Sequence, residues 1–451
     1  MSTVVTELAL PDAPGEPGPR GDRFREFHEH IERANAARFG PGVAVRSPGE
    51  RLSSLQPPAN ERRQAFVGHR DGRLVGTVQL FTPQLEATDV AEIVISTEPG
   101  LDAGEAKAAI EALLDHAESV AVAQGRTDLR GDSDAAASGP VVAATGYGGA
   151  DPADSEVAAL LERGYSLEQV YRISVLDLRA LPDLDERLAA ARAGAPGYEV
   201  VAWSGFTPEP YRAGVCRLKE GMAADAPGGG VLFEPEVWDD ARLTDFETQV
   251  SGGGKTIRTV VAVERATGEL VGFSSLFVGS AVVVNQHDTV VLAGHRGHGL
   301  GLLMKLVNLV ELREHHPRHT RVVTSNAEEN RPMLAVNEAP ASTRSSTTAC
   351  GSAASRPDRG PGAAPEAPTR GWPQTASQTA ASEGRRPSTR STELSSTSPA
   401  GNSTGSAPKL TTATVPEPRV NASTSPPSTA WKASASVRKS ARSRRSLRAA
   451  R

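Results

Sequence analysis

The sequence predicts an α/β fold with mixed sheets, laid out as two tandem modules and followed by a tail that builds no core. Three observations carry that reading. The same order of strands and helices runs twice through residues 1–339, each run is centred on a hairpin signal, and beyond Ala339 the composition changes abruptly. Of the 112 residues from Pro340 to Arg451, 77 are Ala, Gly, Pro, Ser or Thr, which leaves too little apolar surface to offset the entropy of ordering them. The expected domains are therefore 1–190, 191–339 and a disordered tail over 340–451.

Each element has its own signal. VVTELAL (4–10) alternates like a strand, and RFREFHEHIERANAARF (23–39) reads as a helix. QAFVGHR and RLVGTVQLF flank Asp71-Gly72, the strongest short hairpin signal. VAEIVIS (90–96) is a strand, and 103–123 is a long helix with Ile110, Leu113, Leu114 and Ala117 on one face. A helix over 155–165 is stopped by Gly164, and VYRISVLDL (170–178) is a strand. The Ala/Arg/Gly/Pro stretch around 189–197 reads as a linker. The second run repeats the order: strand 198–203, a helix capped by Thr207-Pro208, and an amphipathic helix within EPEVWDDARLTDFETQV. Strands 259–264 and 269–278 then flank Ala266-Thr267-Gly268, before strand 287–293, helix 299–316 and strand 321–326.

Charge divides the chain in the same place. The tail has 17 Lys+Arg against 5 Asp+Glu, whereas residues 1–339 have 32 against 49. An acidic body argues against nucleic-acid binding, because phosphate contacts need a positive face. Cys216 and Cys350 are too far apart in sequence for a disulfide framework or a zinc cluster, and a reducing cytoplasm is the simplest setting. No apolar run is long enough to span a membrane.

One segment carries chemistry. Arg296-Gly297-His298-Gly299-Leu300-Gly301 lies between an expected strand and a helix whose Leu302, Leu303, Leu306, Val307 and Val310 recur at helical spacing. Glycines let backbone amides approach a ligand, and a helix N-terminus favours an anion, so the segment suits a pyrophosphate. It is neither a Walker A loop nor a dinucleotide fingerprint, and a glycine-rich turn without a ligand fits it equally well.

That motif in its setting of hairpin, strand, R-x-x-G-x-G, helix and a strand ending in Asn326, followed by Asn330, Met333 and Asn337, resembles the GNAT acyltransferase superfamily. The resemblance covers roughly 198–339 and is most specific in QHDTVVLAGHRGHGLGLLMK. It implies acetyl-CoA or another acyl-CoA as co-substrate, no metal, and a small-molecule amine as acceptor. Arg296, Gly297, Gly299, Leu300 and Gly301 would hold the pyrophosphate. The pantetheine arm would run along a splay between the fourth and fifth strands, with Asn326 and Asn330 on its amides. Backbone N–H groups near Val290 to Leu292 would face the oxyanion. An alkylammonium must lose a proton before it attacks, and Asp288 and Glu328 are the candidate bases. The competing roles are a carboxylate holding the strand edge for Asp288 and a loop acid or helix cap for Glu328. In the first half, STEPGLDAGEAK replaces the cradle with Glu98, Asp102 and Glu105, which would repel a pyrophosphate, so that half is expected to be structural or substrate-shaping.

The resemblance fails after Ala339, where the family continues with Leu-Gly-Phe and two strands that often carry an acidic Tyr. Shifting each codon by one base lets residues 341–352 encode GF-x-PVV-x-YGVWQ, with a stop within Pro357-Asp358, so a frameshift explains the tail; a genuine Arg-rich disordered tail is the alternative. Without that ending the fold would stop at Ala339 and lack its last two strands. The expected activity is N-acyl transfer to a small amine, by a monomer or a homodimer. A non-catalytic CoA-binding or interaction module and an inactive truncated product are the alternatives.

Overall fold

The computed structural model describes residues 2–135, 138–225, 234–339 and 348–353. In the first module β1 (Val4–Glu7) leads to α1 (Pro19–Phe39), α2 (Pro48–Leu55), β2 (Glu61–Arg70), β3 (Arg73–Pro83), β4 (Val90–Thr97) and α3 (Ala103–Ala123). Then follow β5 (Asp128–Ser133), a small ribbon of β6 (Val141–Val142) and β7 (Gly149–Ala150), α4 (Ser155–Glu162) and β8 (Gln169–Asp177). After α5 (Leu184–Ala193) the second module runs β9 (Tyr198–Ser204), α6 (Glu209–Asp225), α7 (Asp240–Gly252), β10 (Thr256–Glu264), β11 (Leu270–Val278), β12 (Val283–Val291), α8 (Leu300–His315), β13 (Arg321–Ala327), α9 (Arg331–Glu338) and β14 (Thr348–Ala353).

Local chemistry explains the joints. Asp71 and Gly72 have φ of 52° and 76°, the pair of positive values that a tight hairpin between β2 and β3 requires. A capping box starts α2: Ser47 accepts from the Glu50 N–H, and Glu50 accepts from the Ser47 N–H. That helix lies outside the expected elements although its S-x-x-E signature stands in the sequence. Within each module the long central helix covers one sheet face. Ile110, Leu113 and Leu114 of α3 pack with Val78 and Ile93, and Leu306 and Leu309 of α8 with Leu276 and Val284. The other faces hold α1 through Phe24 and Phe27, and α6 through Leu218 against Phe273 and Val290.

Two expectations are corrected. The 189–197 linker begins inside a helix: α5 buries Leu184 and packs Leu188 and Ala191 against the core beneath α8, as its Ala- and Leu-rich sequence permits. The fold also does not stop at Ala339, because β14 lies within the main sheet. The rest of the tail, and with it the expectation of disorder there, lies outside the described residues.

Among the described residues twelve strands form one sheet, in the order β1-β2-β3-β4-β5-β14-β8-β13-β12-β11-β10-β9. The modules exchange strands at its centre. β8, which follows α4, pairs with β13 of the second module (Arg172 opposite Asn326), and β14, which follows α9, pairs with β5 of the first (Ser352 opposite Asp132). The two exchanged strands also pair with each other, Thr348 opposite Ile173.

Candidate functional site

The site begins where β12 and β13 part. They are parallel neighbours only from Val283 opposite Arg321 to Asn285 opposite Val323, and beyond that pair the sheet splays. On its other side β12 pairs with β11, and the register shifts between Ser274 opposite Thr289 and Leu276 opposite Gln286. His287 and Asp288 therefore share the place opposite Ser275, a bulge at the mouth of the splay. Neighbours on a regular strand point to opposite faces, but the bulge brings these two side chains together, His287 Nδ1 lying 3.1 Å from Asp288 Oδ1.

Beyond β12 the chain turns into α8 through Gly297 (φ 85°) and Gly299 (φ 70°), with open space where a Cβ would stand at either. Gly299 is the N-cap, and no side chain caps the helix, so the amides of its first turn, Leu300 and Gly301 among them, keep their donors for a ligand. Arg296 is exposed beside them and folds its Nε onto the Val291 carbonyl at 3.1 Å. This arrangement fits a pyrophosphate: donors converge, the helix dipole is favourable, and no carboxylate caps the turn.

The oxyanion donors are corrected. The Leu292 N–H is spent on the Val271 carbonyl of β11 at 2.9 Å, and strand alternation turns the Val290 N–H the same way. The amide facing the splay is that of Val291, between them.

Asp288 is held in an ion pair. Lys219 of α6 donates to it at 2.8 Å, and that ammonium sits over the rings of Trp238 at 4.4 Å and Phe246 at 4.2 Å. Burial alone would raise the Asp288 carboxyl, but His287 and Lys219 outweigh it and hold it well below the usual carboxylate range. So tightly held a carboxylate is a weak base. Glu328 has a structural partner instead: Arg172 of β8 grips both its oxygens, at 2.7 and 2.9 Å, so it secures the exchanged strand.

Asn326 and Asn330 divide. Asn330 is the N-cap of α9, its carbonyl accepting from the Met333 N–H at 3.3 Å. The Asn326 carbonyl accepts from Asn337, whose own carbonyl accepts from Lys305, while among the described residues the Asn326 amide donors remain for a ligand carbonyl. Lys305 is buried beneath α9, and burial lowers its ammonium to about 7. Sequence reading missed Lys305, Lys219 and His287; a Lys in the apolar register of α8 was the only signal. His319 donates its Nε2–H to the Gly279 carbonyl at 3.0 Å, and the described residues contain no group of metal-binding side chains.

The first module has the same frame and a different content. Asp102 caps α3, accepting from the Glu105 N–H at 2.8 Å. Glu98 is bound by His30 at 2.6 Å and Arg33 at 2.8 Å; burial would raise it, but those partners lower it to about 2. Glu156 of α4, 2 % exposed, plugs the gap between β4 and β5, accepting from Thr97 Oγ1 at 2.6 Å and Ser133 Oγ at 2.9 Å, and Arg38 pairs with it at 3.1 Å.

No protein-family model matches the chain, and no curated protein matches it. Solved structures do. A tandem GNAT protein from the clavulanic acid biosynthesis pathway, solved without acetyl-CoA, is 26% identical, with a TM-score of 0.59 over 79% of this chain and 100% of that one. A GCN5-related N-acetyltransferase from Sphaerobacter thermophilus is 13% identical, with a TM-score of 0.48 over 78% of this chain and 95% of that one. Repeated modules, a splayed sheet and a glycine cradle on one helix agree with the first of these likenesses: the chain has the fold of a tandem GNAT protein.

Proposed function

We propose that the chain transfers an acyl group from acyl-CoA to the amine of a small molecule, using the second module alone for the acyl donor. The observation that carries this is the uncapped, glycine-lined start of α8 at the mouth of the β12–β13 splay. Arg296 and the amides of Gly297 to Gly301 bind the diphosphate, Asn326 meets a pantetheine carbonyl, and the Val291 N–H steadies the oxyanion. The acceptor enters from the opposite face, into a cavity of about 180 Å³ whose lining includes Asn285 and Ser325 beside the splay and Glu92, Asp132 and Asp134 of the first module.

The base in this reading is His287, because Asp288 is tied to Lys219 and lies 3.1 Å from the ring's Nδ1, so the proton is taken at Nε2. The acceptor ammonium gives one proton to Nε2. Its nitrogen then bonds to the thioester carbonyl carbon, the C–S bond breaks, and the departing thiolate takes the second nitrogen proton.

The shifted frame belongs to the same proposal. A central strand written Thr-Ala-Cys-Gly-Ser-Ala is a poor β-former, whereas the shifted codons of 348–352 allow Tyr-Gly-Val-Trp-Gln, including a hydroxyl that gives its proton to the thiolate and takes the second nitrogen proton in its place. Resequencing across Glu338 to Asp358 tests it: an extra base supports the shift, and the frame as written refutes it.

Titration with acetyl-CoA together with thiol release over a panel of amines tests the function. Saturable release is expected, with His287→Gln lowering kcat and sparing acetyl-CoA affinity. Tight binding with no release over the panel would make the protein a CoA-binding module and not an enzyme.

A further inference from the structure

The central cavity continues toward a second, smaller one between α2, α7 and β11, and Arg46 and Ser54 line both. Around this shared end the described residues hold more donors than acceptors. Arg51, 4 % exposed, gives Nη2 to Glu32 at 2.9 Å, but its buried Nε has no partner. Gln249, 2 % exposed, lines the smaller cavity with a buried Nε2 that is also without one. Lys255 stands beside it and makes no hydrogen bond or ion pair among the described residues. Burial, reinforced by the neighbouring Arg46, lowers its ammonium to about 8. The nearby carboxylates are already engaged: Glu50 accepts from the Ser47 N–H and the Ser280 N–H, and Glu32 from Arg51 and the Arg46 N–H.

Buried donors are almost always satisfied in folded proteins, so two buried orphans, Arg51 Nε and Gln249 Nε2, with the half-buried Lys255 ammonium beside them, point to an absent acceptor. A carboxylate supplies two oxygens with several lone pairs and neutralises Lys255, which water cannot do. The other wall of the larger cavity carries Glu92, Asp132 and Asp134, which suit an ammonium.

We infer that the acceptor is amphoteric: an amine presented to the splay at Asn285 and Ser325, and a carboxylate seated among Arg51, Lys255 and Gln249. This rests on the acyl-transfer reading, which names an amine acceptor in this cavity, and adds the class of that amine. The exposed rim of the glycine cradle takes no part in it.

The test compares ω-amino acids from glycine to 6-aminohexanoate with n-alkylamines and n-alkanoates of matched length, on the full chain. Thermal stabilisation without acyl donor is read first, and kcat/KM with acetyl-CoA second. At least one amino acid is expected to bind tenfold or more tightly than its matched amine and its matched carboxylate. Lys255→Met and Gln249→Leu, which keep the bulk of the side chain, should each erase most of that margin while leaving acetyl-CoA affinity unchanged. The inference is overturned if no amino acid exceeds its matched amine, or if both variants keep the full margin. Amino-acid binding that is lost in the variants, in a protein that never cleaves acetyl-CoA, would uphold the site and refute the acyl-transfer reading instead.

Discussion

The two modules take the same strand-to-helix step with opposite chemistry in it. Before α3, Asp102 occupies the helix cap, Glu98 is locked to His30 and Arg33, and Glu156 fills the gap between β4 and β5. Before α8, Gly299 leaves the helix uncapped, Gly297 and Gly299 leave room, and the splay is open. A helix N-terminus has a fixed requirement for acceptors, and the molecule meets it from within in one module and leaves it to a ligand in the other. One duplicated frame thus yields one sealed half and one receptive half.

The largest expected effect comes from removing the plug. Glu156→Ala strips a buried carboxylate from Arg38, Thr97 and Ser133 and should cost about 2 kcal/mol, read as a fall in melting temperature, because the Thr97 and Ser133 hydroxyls lose their acceptor while Arg38 keeps only Asp154. It should not create a second acetyl-CoA site, since Asp102 still caps α3. Next is the transplant of the sealed half's device into the open one. Gly299→Asp tolerates the left-handed backbone better than most residues and places a carboxylate on the helix start; acetyl-CoA affinity should fall at least tenfold, about 1.4 kcal/mol, in a calorimetric titration, with the melting temperature nearly unchanged.

Much of this contrast was legible in the sequence. Asp71-Gly72, the apolar spacing of α3 and α8, and R-x-x-G-x-G each specify structure through neighbouring residues alone, and Glu98 and Asp102 announced that the first cradle was closed. What escaped depends on contacts distant in sequence. β5 reads Asp-Leu-Arg-Gly-Asp-Ser, with no apolar alternation, because its Arg130 and Asp128 are buried as a pair at 3.1 Å. Glu156 looks like an ordinary first-turn acid until α4 is laid across β4 and β5. The partnership of His287 with Asp288 exists only because of the bulge. The exchange of β8 and β14 could not be read from order alone, because each exchanged strand keeps its expected place in the chain and changes only its neighbour.

Smaller effects sharpen the comparison further. Lys305 belongs to the open half, and its ammonium is lowered from the ordinary 10.5 to about 7 by burial. The unfolded chain then binds more protons than the folded one between those values, so this residue destabilises most at and below pH 7, and its cost fades as pH rises towards 10.5. Lys305→Met should therefore stabilise by about 1 to 2 kcal/mol at pH 7, since it also leaves the Asn337 carbonyl without its donor, and by almost nothing at pH 10.5; melting curves at the two pH values read the difference. The smallest change is Asp102→Ala, which removes a cap and should cost about 1 kcal/mol in denaturant unfolding, with no change in acetyl-CoA affinity.

The most direct measurement is the calorimetric stoichiometry of acetyl-CoA on the full chain, in wild type and in Gly299→Asp. One site per chain, weakened at least tenfold by the substitution, is the result expected from one sealed and one receptive module. Two sites per chain, or a single site indifferent to Gly299→Asp, would contradict it.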